Sequence, residues 1–217
     1  MNSFTRQSHL RHVAPSTIRR LSLYLDCLET TEREGGTTVS SRTLAERGGA
    51  TPAQVRKDLS FFGSFGKRGI GYPVRELASH LREILGLGRR YRVVLVGAGR
   101  IGAALARYPG FEERGFDMAA LYDVDPAKIG RVLDGLVIRD VANLDADLAG
   151  EPADIAVIGT PAASAPGIAE RLVRCGVRAI LNFAPVTLAV PPEVTVTNVN
   201  MALEMEGLSF ALTQRGR

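Results

Sequence analysis

Two hydrophobic rhythms divide the chain near residue 88. From Pro15 to Glu34, the residues Ile18, Leu21, Leu25 and Leu28 fall three or four positions apart, the spacing of one helical face. GGTT at 35–38 ends that helix, and Val39 and Ser40 read as a short strand entering a turn. SSRTLAERGG follows as a short helix, opened by a serine cap and closed by two glycines. Thr51 caps the next helix, with Pro52 at its first position and Gln54 completing a Thr-x-x-Gln capping box. That helix is expected to run to Phe62. Val55, Leu59 and Phe62 turn to the core, and Gln54, Arg56, Lys57, Asp58 and Ser60 lie outside this stripe. Two short helices around a tight glycine-containing turn make a helix-turn-helix. GSFGKRGIGY then reads as a hairpin loop, which gives the winged form, and a linking helix over Val74–Leu85 leads to the GLGRR seam at 86–90.

Beyond the seam the rhythm changes. Apolar strands at 91–96, 116–123, GLVIRD, 154–160, 178–183 and 194–199 alternate with helical stretches, the pattern of a parallel sheet in an α/β domain. The expected organisation is an arm over 1–14, a winged-helix domain over 15–88, a Rossmann-type domain over 89–198 and a C-terminal helix over 199–217. In that last helix Met201, Met205, Leu208 and Leu212 form one apolar stripe, while Leu203 and Phe210 lie on another side. A terminal helix apolar on two sides needs more cover than one flank of its own sheet supplies.

Composition adds a charge asymmetry. The formal net charge is +4, but residues 1–90 carry +7 and residues 91–217 carry −3. A basic front half suits a polyanionic partner such as double-stranded DNA. No apolar run approaches the roughly 18 residues that span a membrane, and the N-terminus has no apolar segment of a signal peptide. The expected compartment is therefore the cytoplasm. Cys27 and Cys175 have no CxxC or histidine neighbour, so neither a disulfide nor a metal site is expected.

The capped helix 52–62 is the candidate DNA reader. Arg56 has the guanidinium fork that can meet guanine O6 and N7, Lys57 could read a base or hold a phosphate, and Ser60 could bond a phosphate. Thr51 and the first amides of the helix also suit a phosphate. Lys67 and Arg68, between Gly66 and Gly69, form a basic wing tip that fits a narrow minor groove.

GAGRIG matches G-x-G-x-x-G at Gly97, Gly99 and Gly102, between a strand and a helix, and Asp123 ends the next strand. Gly97 permits the turn, Gly99 lets backbone approach a pyrophosphate, and Gly102 lets helix and strand pack closely. Asp123 can accept from ribose hydroxyls and would repel a 2′-phosphate, which favours NAD(H). Coenzyme A remains an alternative ligand. Hydride transfer usually needs a positioned acid or base, yet His9, His12 and His80 all precede the seam, and no Tyr-x-x-x-Lys pair occurs. A nucleotide site without means of using the nucleotide points away from an enzyme. A small NAD-dependent dehydrogenase fused to a DNA-binding domain is the alternative.

The strings QVRKDLSFFGSFGKRGIGY, VGAGRIG, LARYPGF, YDVDPAKIG, ILNFAPV and NVNMALEMEGLSF resemble, over essentially the full length, the Rex family of redox-sensing transcriptional repressors. The resemblance implies a homodimer with an N-terminal winged helix, a Rossmann NAD(H) domain and a last helix swapped onto the partner. It implies binding to palindromic operators of respiratory and fermentative genes, and release by NADH. By position Arg56 and Lys57 would contact the operator and Arg68 the wing-side groove, and the residue pattern adds Thr51, Gln54, Ser60 and Lys67 to the candidate DNA set. Gly97, Ala98, Gly99, Arg100, Ile101, Gly102, Asp123 and Lys128 would hold the adenosine and pyrophosphate. Thr160 and Pro161 belong to the same cofactor set, and Tyr108, Asn182, Phe183, Ala184, Pro185 and Asn200 would surround the nicotinamide.

Two positions depart from the family pattern. Asp26 stands where an arginine is common, and Asn200 where an aspartate opens the last helix. An Arg–Asp pair is charge-assisted, whereas Asp26 with Asn200 gives only a neutral-to-charged bond. The coupling between DNA and dinucleotide binding is therefore expected to differ from the family's.

Overall fold

A computed structural model describes residues 13–66 and 69–215. The chain folds as two compact units, Met1–Arg89 and Arg90–Arg217.

In the first unit, α1 (Pro15–Arg33), α2 (Ser41–Gly48), α3 (Pro52–Ser60) and α4 (Val74–Ile84) surround one apolar core, joined by β1 (Thr38–Val39) and β2 (Tyr72–Pro73). Leu21, Leu25, Leu28, Leu44, Val55, Leu59, Leu77 and Leu81 fill that core. Ser40 Oγ accepts from the Thr43 amide and caps α2, and Gly49 closes it in the left-handed region at φ 59°. Gly48 lies so close to the Tyr24 ring that a Cβ would collide with it. α2, the turn at Gly49 and α3 make the helix-turn-helix.

Three details differ from the sequence expectation. The helix α3 ends at Ser60, not Phe62, although Phe62 still packs against the core. β1 is Thr38–Val39 and pairs antiparallel with Tyr72–Pro73, so among the described residues the strand that follows the glycine-rich segment pairs with the strand before α2 and not within that segment. Gly66 and Gly71 make this closure: a Cβ on Gly66 would stand 2.5 Å from the Gly71 carbonyl oxygen, and one on Gly71 2.5 Å from that of Val39. Finally, Asp58, which lies outside the apolar stripe, is buried. The expected arm over 1–14 falls outside the described residues up to position 12, as do Lys67 and Arg68.

In the second unit the seven-stranded sheet runs β5-β6-β4-β3-β7-β8-β9. Its strands are β3 (Tyr91–Val96), β4 (Phe116–Asp123), β5 (Val132–Leu133), β6 (Leu136–Asp140), β7 (Ile155–Ile158), β8 (Ala179–Asn182) and β9 (Thr195–Asn198). All pairings are parallel except the edge pair β5–β6. Without β5, the order is that of a Rossmann sheet, two βαβ halves diverging from the neighbours β3 and β7. The helices are α5 (Arg100–Ala106), α6 (Pro109–Glu113), α7 (Leu144–Gly150), α8 (Ala165–Arg174) and α9 (Met201–Arg215). α6, α7 and β5 were not anticipated, since each is too short to show a period.

The alternation along β3 shows how both sheet faces are buried. Val94 and Val96 join Leu144, Leu148 and Leu172 on one side, and Val93 and Leu95 join Ala106, Leu121 and Ile138 on the other. α9 is different. Met201, Leu203, Met205, Leu208, Phe210 and Leu212 are each 59–70% exposed, and every described side chain of this helix is exposed. Asn200 Oδ1 accepts from the Ala202 amide at 3.0 Å and caps it.

Candidate functional site

The dinucleotide motif lies where the sheet order reverses. Gly97 follows β3 directly and Thr160 comes two residues after β7, so both sit at the carboxyl ends of the diverging strands, the position where such sheets take ligands. Gly97 has φ +106°, and a Cβ on it would stand 2.7 Å from the Gly159 carbonyl group. A Cβ on Gly102 would run into the Gly97 carbonyl oxygen, which is why α5 can start directly against the turn. A Cβ on Gly99 would meet nothing within 4 Å, so this glycine leaves an open approach to the backbone. These are the three roles the spacing assigns to them.

Asp123 is anchored beside the turn. Its carboxylate accepts from the Ala98 amide at 2.8 Å, the Asp125 amide at 2.9 Å and Lys128 Nζ at 3.1 Å. Burial pushes this carboxyl up, but the Asp125 amide, Lys128 and the Ala98 amide outweigh it, and the net displacement is below the usual carboxylate value. Asp123 is therefore ionised at neutral pH and holds the glycine turn to the end of β4. Oδ2 takes the Ala98 amide and Lys128, whereas Oδ1 takes only the Asp125 amide, so Oδ1 keeps acceptor capacity for a ribose hydroxyl.

Thr160 Oγ1 is buried without a hydrogen-bond partner, one of two such side-chain atoms among the described residues; the other, Arg92 Nε, lies near the opposite end of β3. A buried hydroxyl without a partner costs about 1–3 kcal/mol, so its place at the switch point is an observation in favour of a polar ligand there. Pro161 is exposed beside it. Arg100 and Ile101, in the first turn of α5, are exposed. Tyr108 is also exposed and meets Phe111 edge-on at 5.1 Å.

The segment 182–185 is held from within. Asn182 is fully buried; its Nδ2 donates to the Ala184 and Val186 carbonyls and to Asn198 Oδ1, and its Oδ1 accepts from the Ala184 amide. It thus shapes the loop that presents Phe183 and Pro185 and spends its own polar atoms doing so. Among the described residues no group of His, Cys, Asp and Glu is placed to hold a metal ion, and no described helix is long and apolar enough to cross a membrane.

On the DNA-reading helix, Thr51 Oγ1 accepts from the Gln54 amide at 3.1 Å, which makes one half of the capping box. The other half is not made: Gln54 Nε2 donates instead to Asp58 Oδ1 at 2.7 Å, a charge-assisted bond one turn further on. Asp58 also accepts from Arg20 Nε and one terminal Arg20 nitrogen, both at 2.7 Å, and from the Tyr24 hydroxyl at 3.0 Å. Burial and the hydrogen bond to Asp58 push the Tyr24 phenol up to about 12. Burial pushes the Asp58 carboxyl up as well, but its bonds to Arg20, Gln54 and Tyr24 outweigh this and lower it. Arg56 and Lys57 are exposed, and Ser60 Oγ donates to the Lys57 carbonyl. Arg56 donates to Ser41 Oγ at 3.2 Å. Sequence reasoning missed Arg20, Tyr24, Ser41 and the role of Asp58; only the four-residue spacing of Gln54 and Asp58 was there to be read.

Comparison with known proteins agrees with both units. Residues 89–186 match the CoA binding domain model, and residues 12–60 match a model described as a putative DNA-binding protein N-terminus. The chain is 45% identical over 203 residues to a redox-sensing transcriptional repressor Rex of Desulfitobacterium hafniense, covering 94% of this chain and 97% of the relative. It is 46% identical over 197 residues to that of Chloroflexus aggregans, covering 91% and 93%. Among solved structures it is similar to RSP, a Rex-family repressor. With β-NADH, RSP matches at a TM-score of 0.86 and 35% identity over 94% of this chain and 96% of that one. With β-NAD+ and operator DNA, it matches at 0.87 and 37% over 94% of each. The chain belongs to the Rex family of redox-sensing transcriptional repressors.

Proposed function

We propose that this chain is a homodimeric cytoplasmic repressor whose winged-helix unit binds a palindromic operator and whose Rossmann unit senses the NADH/NAD+ ratio, NADH causing release. The observation that carries this reading is the likeness, over 94% of the chain, to a family member solved with β-NAD+ and operator DNA together. The switch-point glycines, the open side of Gly99 and the unpartnered Thr160 hydroxyl fit a dinucleotide. Ionised Asp123 disfavours a 2′-phosphate and supports NAD(H) over NADP(H). Gly97–Gly102 line the pyrophosphate, with Ala98, Arg100 and Ile101 supplying backbone between the glycines. Lys128 and Asp123 orient the adenosine ribose. Thr160 and Pro161 belong to the same dinucleotide site, and Tyr108, the 182–185 loop and Asn200 are its residues for the nicotinamide.

The relatives are named as repressors, not enzymes, and His80 is the last histidine of the chain. Met201, Met205, Leu208 and Leu212, with Leu203 and Phe210, support a dimer in which α9 packs on the partner subunit. A 15-residue helix with all its described side chains exposed is marginal in water by itself. The dimer sets the spacing of two α3 helices against two half-sites, and a ligand shifts that arrangement only by its difference in affinity for the binding and non-binding states.

The CoA binding domain description gives coenzyme A a specific claim as the alternative ligand. Calorimetry of the full chain with NADH, NAD+ and coenzyme A separates them. NADH binding more tightly than coenzyme A supports the reading, and preferential binding of coenzyme A overturns it.

A further inference from the structure

Phe65 stands between two surfaces of the first unit. On one side it lines, with Ser60 and Ile70, a groove of about 730 Å³ between α3 and the glycine-rich segment that leads to β2. On the other, its ring meets the His80 imidazole of α4, with centroids 5.2 Å apart and planes at 63° in an edge-to-face arrangement. Phe65 packs against the apolar core, and both side chains are half-buried. Gly66 then closes the segment onto Gly71 and Tyr72, so the seat of Phe65 fixes how the segment leaves the core.

The hydrogen bond of His80 settles where its charge develops. Nδ1 lies 2.8 Å from the Glu76 carbonyl oxygen. A carbonyl only accepts, so Nδ1 carries the hydrogen of the neutral ring and Nε2 is the atom that takes the second proton. Histidine is the side chain that ordinarily changes charge between about pH 5 and 8. Protonation leaves the bond to Glu76 in place and turns a neutral ring contact into one between a cation and an aromatic ring. On this side of α4, Glu76 and Glu83 lie within one turn of His80, and segment 63–66 brings no charged side chain to it. The charges of the other packed elements are engaged elsewhere. Glu29 and Glu32 of α1 pair with Arg82 and Arg75 on the opposite flank of α4, and Asp58 of α3 pairs with Arg20.

We propose that His80 is a positioning residue of the DNA-binding unit: its imidazolium holds Phe65, and with it the glycine-rich segment beside α3, in the arrangement that binds the operator, so that operator affinity rises on acidification. The proposal rests on the DNA-binding reading above, and His80 itself touches no DNA in it.

The test uses the full chain with NAD+ and an operator duplex obtained by selection from randomised DNA. Kd is measured by fluorescence anisotropy between about pH 6 and 8 at constant ionic strength. His9, His12 and the chain terminus titrate in the same window, so the readout is the difference between the wild-type chain and His80→Phe, which keeps a ring at this position and loses the titrating group. On acidification the wild-type chain is expected to gain about two- to fivefold more affinity than His80→Phe, and the two are expected to bind alike at the alkaline end. In a Phe65→Leu background, the same comparison with and without His80→Phe should show no excess. Parallel profiles of the wild-type chain and His80→Phe overturn the proposal. So does an excess that survives Phe65→Leu, since the charge would then act on DNA through space and not through the ring. The first comparison decides by itself if Phe65→Leu abolishes binding. A wild-type chain that binds the duplex at no pH overturns the repressor reading, an outcome visible before any variant is compared.

Discussion

Replacing Asp58 with alanine removes an acceptor shared by three side chains. Arg20 reaches it with two nitrogens at 2.7 Å, Gln54 at 2.7 Å and the Tyr24 hydroxyl at 3.0 Å. The Asp58 side chain is 3% exposed, Tyr24 is fully buried and Arg20 is 21% exposed. Breaking a buried pair from one side costs about 3–5 kcal/mol because the other charge stays behind. Arg20 retains some water, which argues for the low end, but the Tyr24 hydroxyl loses its partner too, at about 1–3 kcal/mol. A net loss of about 3 kcal/mol corresponds to roughly a 150-fold rise in the open population of the winged-helix unit. Amide hydrogen exchange of the full chain reads this directly: peptides from α1 and α3 should lose protection by about that factor, and peptides from β3 and β7 should keep theirs. Arg20→Met, Tyr24→Phe and Asp58→Leu together remove both charges and the buried hydroxyl, leaving only half-buried Gln54, which can turn to water, and this combined variant should restore most of the loss. Asp58 is held below its ordinary value in the fold, so its contribution is complete above the unfolded value of about 3.9 and fades as pH falls through the folded one. Unchanged protection in Asp58→Ala, or a combined variant worse than the single one, would refute the view that this cluster fixes α3 on α1.

Three further outcomes follow from the second unit. Gly102→Ala drives a Cβ into the Gly97 carbonyl, which is backbone and cannot swing aside; calorimetry should show at least about a tenfold loss of NADH and NAD+ affinity, with operator binding retained. Thr160→Val removes a buried hydroxyl that lacks a partner. The unliganded chain should gain about 1 kcal/mol in denaturant unfolding, and calorimetry should show weaker dinucleotide binding. Leu208→Glu with Phe210→Glu places charge on both apolar sides of α9, and sedimentation equilibrium should find monomer where the unaltered chain gives dimer.

Much of the fold could be read along the chain because it depends on local rules. The apolar spacing of α1, the cap at Thr51, the strand before GAGRIG and Asp123 at the end of β4 all stand in one short window each, and the structure places them so. What escaped depends on partners far apart. Asp58 has the sequence pattern of a surface residue; Arg20 and Tyr24, 38 and 34 positions away, make it a core residue. Ser41 is one serine among several until Arg56, 15 positions on, is folded against it. The string GSFGKRGIGY has the glycines of a hairpin, yet β2 at its end pairs with β1, which precedes α2. Asn182 shows the same limit at the nucleotide end. Its string ILNFAPV marks a special loop, but only the bonds to Ala184, Val186 and Asn198 show that its side chain builds that loop from inside.

Asp26 and Asn200 make the coupling between the two units the property most worth measuring. Operator binding by the full chain should be titrated with NADH at constant NAD+, using anisotropy of a labelled operator duplex. NADH lowering operator affinity, with NAD+ alone leaving the complex intact, is the predicted result. Operator affinity that stays constant while calorimetry shows the site filled with NADH would contradict it.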